Sequence, residues 1–226
     1  MIGGLGVAAF MPTFSQSFNR TGVAVAAVLA IGMGPVFTGI LSWVFFKNSP
    51  SRNWVFGTTF AIAGLVALSW PTDGIHIDKL GVIFALAAAF AYSWQAIGMQ
   101  MISERHTPFQ SVAPIFTVGT ILQSPISLGG DFSFLHEPKF IAGCLYGGFF
   151  TVAAAYALFT FGITRIGTST AVTVGLMEPL TAAAMGVLLL GETIALVGYI
   201  GFVMILVGLI IVSRPRDTPP TVLLEP

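Results

Sequence analysis

An all-α integral membrane protein is the fold class that this sequence predicts. Of its 226 residues, 55% are hydrophobic and only 8% are charged, and the mean hydropathy is +0.91. A water-soluble domain carries about 25% charged residues. The few charges fall at intervals that leave apolar runs of roughly 20 residues, the length of helix that crosses a bilayer. We therefore predict a polytopic helical bundle with about eight transmembrane helices.

The apolar runs place the spans at 2–17, 22–46, 54–70, 80–102, 109–128, 140–161, 168–190 and 195–213. The connections, such as FNRT and KNSPSRN, are too short to hold a soluble domain. The first run lacks the basic start of a secretory signal peptide, so we interpret it as a retained span. Function is therefore expected within or beside the lipid bilayer.

The basic residues indicate an orientation, because Lys and Arg prefer the cytoplasmic side in short loops. Alternating the spans puts Lys47, Arg52, Arg105, Arg165, Arg214 and Arg216 on one side, and Arg20, Lys79 and Lys139 on the other. This asymmetry predicts a multi-pass protein of the cell (plasma) membrane with both termini in the cytoplasm.

Several function classes find no support in the sequence. The formal net charge is zero and the basic residues are scattered, so no nucleic-acid partner is expected. No P-loop, GxGxxG, GxSxG or CxxC occurs, so neither an enzyme nor a cofactor is predicted. His76, His106 and His136 lack metal-ligand spacing, so no metal is expected. Cys144 is predicted to be a small buried residue within an apolar run.

An internal repeat relates the two parts of the chain. A shift of 145 residues aligns Gly3, Val7, Ala8, Ala9, Phe14, Arg20 and Gly22 with Gly148, Val152, Ala153, Ala154, Phe159, Arg165 and Gly167. After a slip of one residue, Pro35, Gly57, Gly64, Leu65, Ser69 and Pro71 align with Pro179, Gly201, Gly208, Leu209, Ser213 and Pro215.

The repeat predicts a domain organisation. Residues 1–71 would form a partial first repeat of three spans, 79–213 a second repeat of five spans, and 214–226 a cytoplasmic tail. Spans one to three pair with spans six to eight, so paired spans cross in opposite directions. This arrangement is an inverted repeat, three plus five helices, of the kind typical of secondary transporters.

The C-terminal segment MEPLTAAAMGVLLLGETIALVGYIGFVMILVGLIIVSRP (177–215) resembles the last two helices of EamA-type proteins in the drug/metabolite transporter superfamily. GPVFTGILSWVFFKNSPSRNWVFGTTFAIAGLVAL (34–68) looks like the matching part of the first half. The resemblance implies ten helices in two inverted five-helix repeats around a central cavity. This chain departs from that pattern in lacking the first two helices, and Lys47-Asn48 stands where the family often has an acidic-basic pair.

Together, the repeat and the resemblance predict a permease that moves a small organic metabolite or drug-like solute between the repeats. The alternative is a truncated, non-transporting membrane scaffold or subunit that needs a separately encoded helix pair. The partners expected are a small-molecule solute and the lipid bilayer, together with either a second copy of the chain or the missing helix pair. Gly143 and Gly147 form a GxxxG spacing that permits close helix contact.

Glu178 and Pro179 are the strongest candidates for function. Glu178 lies ten residues after Thr168, about 15 Å along a helix and close to mid-bilayer. An ionised carboxylate there costs about 2.5–3.5 kcal/mol on insertion scales, so it must be neutral, paired or hydrated. Pro179 is predicted to break the helix and to free the carbonyl of Gly175. Glu178 either hydrogen-bonds that carbonyl or lines a translocation pathway and exchanges a proton.

Four further side chains are candidates for the solute or ion pathway. Gln95 ranks after Glu178, and Tyr92, Trp94 and Tyr156 could supply orienting contacts in an apolar pocket. Such residues also serve as hydrogen-bonding groups between packed helices, and that alternative stays open. Pro35, the repeat counterpart of Pro179, is predicted to mark a second helix break.

Overall fold

A computed structural model describes residues 2–70, 78–127, 129, 136–191, 193 and 195–214. The predictions for His76, Arg216 and the tail beyond Arg214 lie outside these residues. The helices are α1 (Ile2–Phe46), α2 (Arg52–Leu68), α3 (Lys79–Ser103), α4 (Pro108–Ser127), α5 (Pro138–Tyr146), α6 (Ala155–Ile166), α7 (Thr168–Val174), α8 (Met177–Leu190) and α9 (Leu196–Val212). A π-helical segment, Gly147–Ala154, joins α5 to α6.

Each predicted span overlaps helical structure, although the helices differ in length and polarity. Helices long and apolar enough to cross a membrane occupy Ile2–Phe46, Lys79–Ser103, Pro138–Ile166 and Thr168–Leu190 in the described part of the chain. α2 and α9 are apolar but have 17 residues each. α4 has 20 residues and contains two prolines. The fold is therefore an all-helical bundle suited to a membrane.

α1 consists of two helical arms that meet at Gly22. Its 45 residues would span about 68 Å as one straight helix, roughly twice the bilayer core. Gly22 interrupts it with φ 79° and ψ 169°, so the arms cover 2–21 and 23–46. This region of backbone space is essentially restricted to glycine. The junction lies where the sequence predicts the connection between the first two spans.

Gly167 makes an equivalent junction between α6 and α7. Its backbone angles are φ 80° and ψ 155°, close to those of Gly22. The shift of 145 residues aligns these two glycines. Both therefore join consecutive helices through the same backbone conformation, without an intervening loop.

α2 and α9 approach each other closely through glycines. A Cβ placed on Gly57 would lie 2.6 Å from the carbonyl oxygen of Gly208, and one on Gly64 would lie 2.7 Å from that of Gly201. Small residues allow such contacts between membrane helices. The shift of 144 residues converts Gly57 to Gly201 and Gly64 to Gly208, so it exchanges the two contacts.

The first arm of α1 is enclosed by α3 and α4. Gly3 faces Ile115 of α4, and the backbone of Gly6 lies against Ala91 and Gln95 of α3. The segment from α5 to α6 contrasts with this arm, because no residue of α5 is buried. Cys144 on α5 is exposed, so the prediction that it is buried was wrong. Its apolar neighbours form an outward face, not a packed interior.

Candidate functional site

Tyr92 of α3 lies at the meeting point of several helices. Its ring centroid is 6.1 Å from that of Phe10 on α1 and 6.3 Å from that of Phe159 on α6. Aromatic rings at such separations attract each other in tilted arrangements. The Tyr92 hydroxyl approaches Gly175, where an added Cβ would lie 3.9 Å from its oxygen. One side chain thus connects α1, α3, α6 and the break that follows α7.

Tyr156 of α6 extends this aromatic group. Its ring centroid is 4.7 Å from that of Phe116 on α4 and 6.2 Å from that of Phe159, both in edge-to-face geometry. The polar hydroxyl of Tyr156 therefore stands on an otherwise apolar wall. Such walls with few polar groups are typical of small-molecule sites.

Gln95 follows Tyr92 by three residues on α3, and its side chain is only 3% exposed. The Gln95 side chain interacts with Tyr156, but its Nε2 has no hydrogen-bond partner within the normal distance. A buried donor without an acceptor costs about 1–3 kcal/mol. The backbone of Gln95 packs against Gly6 of α1.

A helix break lies at Gly175 and Leu176, just before Glu178 and Pro179, which belong to the first turn of α8. Two tight 3₁₀-type bonds cross the break between α7 and α8. The backbone N–H of Leu176 donates to the carbonyl of Thr173 at 3.0 Å, and that of Glu178 to the carbonyl of Gly175 at 2.9 Å. The Gly175 carbonyl therefore has a partner, contrary to the expectation that Pro179 leaves it free.

The Glu178 side chain is exposed and makes no hydrogen bond to any described residue. Glu178 follows Gly175 by three residues, and an added Cβ on Gly175 would lie 3.9 Å from the Tyr92 hydroxyl oxygen. The break thus places an exposed carboxylate within one helical turn of the residue that the Tyr92 side chain approaches. We call this group the Tyr92 cluster: Phe10, Tyr92, Gln95, Tyr156, Phe159 and Glu178.

The Pro35 region also borders Tyr92. Pro35 is buried within the second arm of α1, which continues as a helix through it. A Cβ on the preceding Gly34 would lie 3.5 Å from the Tyr92 ring. The hydroxyl of Ser93 donates to the Gly34 carbonyl at 2.9 Å. Tyr92 therefore lies between Gly34, which directly precedes Pro35, and Gly175, which lies four residues before Pro179.

Trp94 is not brought together with these residues. Its ring centroid lies 5.7 Å from those of Phe45 and Phe90, in a separate aromatic group between α1 and α3. Trp94 follows Tyr92 by two residues, which turns its side chain by about 200° around the helix.

The aromatic partners of Tyr92 and Tyr156, namely Phe10, Phe116 and Phe159, were not predicted because aromatic residues are frequent in the spans. No group of three metal-ligating side chains occurs within the residues that the structure describes.

Comparison with known proteins identifies the relatives of this chain. The EamA-like transporter family matches residues 1–70 and 79–214. The chain belongs to the EamA-like transporter family. It is similar to "Uncharacterized transporter YwfM" of Bacillus subtilis, with 33% identity over 211 residues that cover 93% of this chain and 71% of that protein. This EamA-like chain is accordingly a multi-pass membrane transporter.

Two further similarities extend the comparison. "Threonine/homoserine exporter RhtA" of Escherichia coli K12 is 28% identical over 167 residues, covering 74% of this chain and 56% of the exporter. A solved crystal structure superposes with a TM-score of 0.78 at 15% sequence identity, covering 94% of this chain and 75% of that chain. At this identity the structural likeness shows that the fold is shared with this EamA-like chain.

Proposed function

We propose that this transporter moves a small organic metabolite or drug-like solute through a cavity between two inverted repeats. The Tyr92 cluster carries the proposal. It combines an apolar aromatic wall with a buried amide that lacks a partner and an exposed carboxylate. These groups converge beside both proline-containing helices, where a change of helix angle would alter the space around Tyr92.

The inverted repeat is supported by two independent geometric relationships. Gly22 and Gly167 share an uncommon backbone conformation at aligned positions. The contacts of Gly57 with Gly208 and of Gly64 with Gly201 exchange under the same alignment. Exchange of this kind is expected where two oppositely directed units pack about a pseudo-two-fold axis. Residues 1–71 and 79–213 would be these units.

Within this proposal Glu178 exchanges a proton as the solute passes. In the alternative interpretation, the Glu178 side chain has a structural role and hydrogen-bonds the Gly175 carbonyl. That carbonyl instead accepts from the backbone N–H of Glu178. Gln95, Tyr92 and Tyr156 would orient the solute, with the unpaired Nε2 of Gln95 donating to it. Trp94 would supply an orienting contact to the solute from the separate aromatic group between α1 and α3.

The test is uptake into proteoliposomes with an imposed pH gradient. Threonine and homoserine are the first solutes to try because a relative is named as their exporter, and a panel of other small metabolites follows. We expect Glu178→Gln to lower the rate at least tenfold and to flatten its dependence on pH. Glu104→Gln, which changes an exposed carboxylate outside the cluster, is the control. A fully active Glu178→Gln protein with normal pH dependence would overturn the proposal.

A wild-type protein that moves none of these solutes would favour the alternative of a scaffold or partner subunit. The exposed face of α5 offers a surface for a second copy or a helix pair, and Gly143 there has no neighbour within 4 Å of an added Cβ. We propose the plasma membrane as its location, with both termini in the cytoplasm.

A further inference from the structure

A cavity of about 410 Å³ lies outside the Tyr92 cluster. Its walls come from the end of α1, the start of α2, the junction of α6 with α7, and the end of α9. The lining includes Ser42, Ser51, Trp54, Arg165, Thr170 and Arg214. Pockets that bind small molecules typically measure about 300–1,000 Å³. The basic residues of this cavity belong to the side predicted to face the cytoplasm.

Two residues of the lining, Trp54 and Ser42, carry polar groups that have no hydrogen-bond partner in the described structure. The Nε1 of Trp54, which can only donate, is buried and has no partner in the described structure. Ser42 is 3% exposed and lines the cavity, and its hydroxyl makes no hydrogen bond to any described residue. Arginine side chains can only donate as well. The cavity lining contains no Asp or Glu among the described residues, so no carboxylate of the lining pairs with these donors.

Arg165 and its repeat counterpart Arg20 differ in whether a carboxylate among the described residues pairs with them. Arg20 lies 4.0 Å from the carboxylate of Asp78, which also caps α3. Arg165 has no carboxylate partner within the described residues, and its guanidinium carbon lies 4.1 Å from the Phe161 ring centroid. Stacking on Phe161 holds the guanidinium in place and leaves its N–H groups available. At one end of the bundle a carboxylate of the chain pairs with the arginine, and at the other none of the described residues supplies one.

We propose that this cavity binds the carboxylate group of a small organic anion through Arg165, Arg214 and Trp54. The inference deepens the proposed function, since the anion would be the transported solute on its way to or from the Tyr92 cluster. α7 connects the two places, because Thr168 lies beside the cavity and Gly175 beside Tyr92, about 10 Å apart along the helix. Planar guanidinium groups bind carboxylates with two parallel hydrogen bonds.

Binding to the purified full chain in zwitterionic detergent tests this proposal. The probes are three carboxylates and their nearly isosteric amides: benzoate with benzamide, acetate with acetamide, and succinate with succinamide. The readouts are the melting temperature and tryptophan fluorescence, measured at constant ionic strength. We expect at least one carboxylate to bind ten times more tightly than its amide, and Arg165→Gln or Arg214→Gln to remove that preference.

Arg20→Gln is the matched control, because it removes the equivalent arginine at the other end and should leave the preference unchanged. Trp54→Phe should weaken carboxylate binding about threefold or more while the ring still packs. If every carboxylate binds no better than its amide, or if both arginine variants keep the preference, the proposal is wrong. It is also wrong if phosphatidylglycerol in nanodiscs displaces the carboxylates through these same arginines, since the site would then hold a lipid headgroup.

Glu178→Gln separates this inference from the proposed function. Carboxylate preference that persists in Glu178→Gln while uptake stops supports both. Uptake by the wild type without carboxylate preference overturns the cavity assignment alone. Carboxylate preference without any uptake supports the site and counts against transport.

Discussion

Gly64 of α2 and Gly201 of α9 meet backbone to backbone, so that a Cβ on Gly64 would lie 2.7 Å from the Gly201 carbonyl oxygen. Real Cβ atoms are not found that close to backbone atoms. Two helices of 17 residues each therefore associate through a contact that only glycine permits. The packing of these short helices depends on this approach.

Gly64→Ala should destabilise the protein because the helices must move apart to admit a methyl group. Overpacking of this kind typically costs about 1–3 kcal/mol. The measurement is the melting temperature in detergent, followed by size-exclusion chromatography. Gly162→Ala on α6, where an added Cβ has no neighbour within 4 Å, is the control. Equal melting temperatures for Gly64→Ala and the wild type would contradict the observed contact.

Gly22→Ala and Gly167→Ala should each destabilise the protein for a different reason. Neither position has a neighbour within 4 Å of an added Cβ, so crowding is not involved. Both residues have φ near 80°, where a side chain costs about 1–3 kcal/mol. Thermal unfolding of both variants beside Gly162→Ala measures the effect. Similar losses at the two junctions are expected, and a loss at neither would argue against the assigned backbone conformation.

Gln95→Met should separate stability from transport. Methionine has a similar volume but removes a buried donor that lacks a partner, so the melting temperature should stay the same or rise. Uptake should fall at least tenfold if the amide donates to the solute. Ser17→Ala removes another buried, unpaired group away from the Tyr92 cluster and should leave uptake unchanged. If Gln95→Met had a much lower melting temperature and normal uptake, Gln95 would have a structural role and no role in binding the solute.

Lys47 and Lys139 should lie on opposite sides of the membrane. Three spans are predicted between them, so the alternation of the spans requires opposite compartments. Cysteine at either position, in a Cys144→Ser background, can be labelled with a membrane-impermeant maleimide added from one side. We expect Lys47→Cys to react from the cytoplasm and Lys139→Cys from outside. If both cysteines reacted from the same side, the paired spans could not cross the membrane in opposite directions, and the inverted repeat would be wrong.

The sequence predicts much of this fold because membrane helices are set by hydropathy and by their breaks. The separation of the first two spans follows from the polar stretch around Arg20. A break lies just before Pro179, whereas α1 continues as a helix through Pro35, so a proline alone does not determine where a helix breaks. Gly22 itself is not recognisable as the junction in a chain with 26 glycines. The role of Gly22 as a junction becomes clear only when its backbone angles are compared with those of Gly167.

The candidate site was predictable only in part. Glu178, Gln95, Tyr92 and Tyr156 stand out because polar groups are rare in the spans. Their aromatic neighbours do not, since Phe10 and Phe159 lie far apart in sequence and meet only after packing. The cavity near Arg165 was not predicted for the same reason. Four chain segments form it, and the missing carboxylate partner of Arg165 becomes visible only beside Arg20 and Asp78.

The tight turn between α7 and α8 also accounts for the one-residue slip in the proposed repeat. Thirteen positions separate Gly22 from Pro35, but only twelve separate Gly167 from Pro179. A 3₁₀ turn rises about 2.0 Å per residue instead of 1.5 Å, so three residues recover about 1.5 Å. That length equals the rise of one α-helical residue. In the proposed repeat, this turn would therefore lengthen the shorter copy by about the rise of the residue that it lacks.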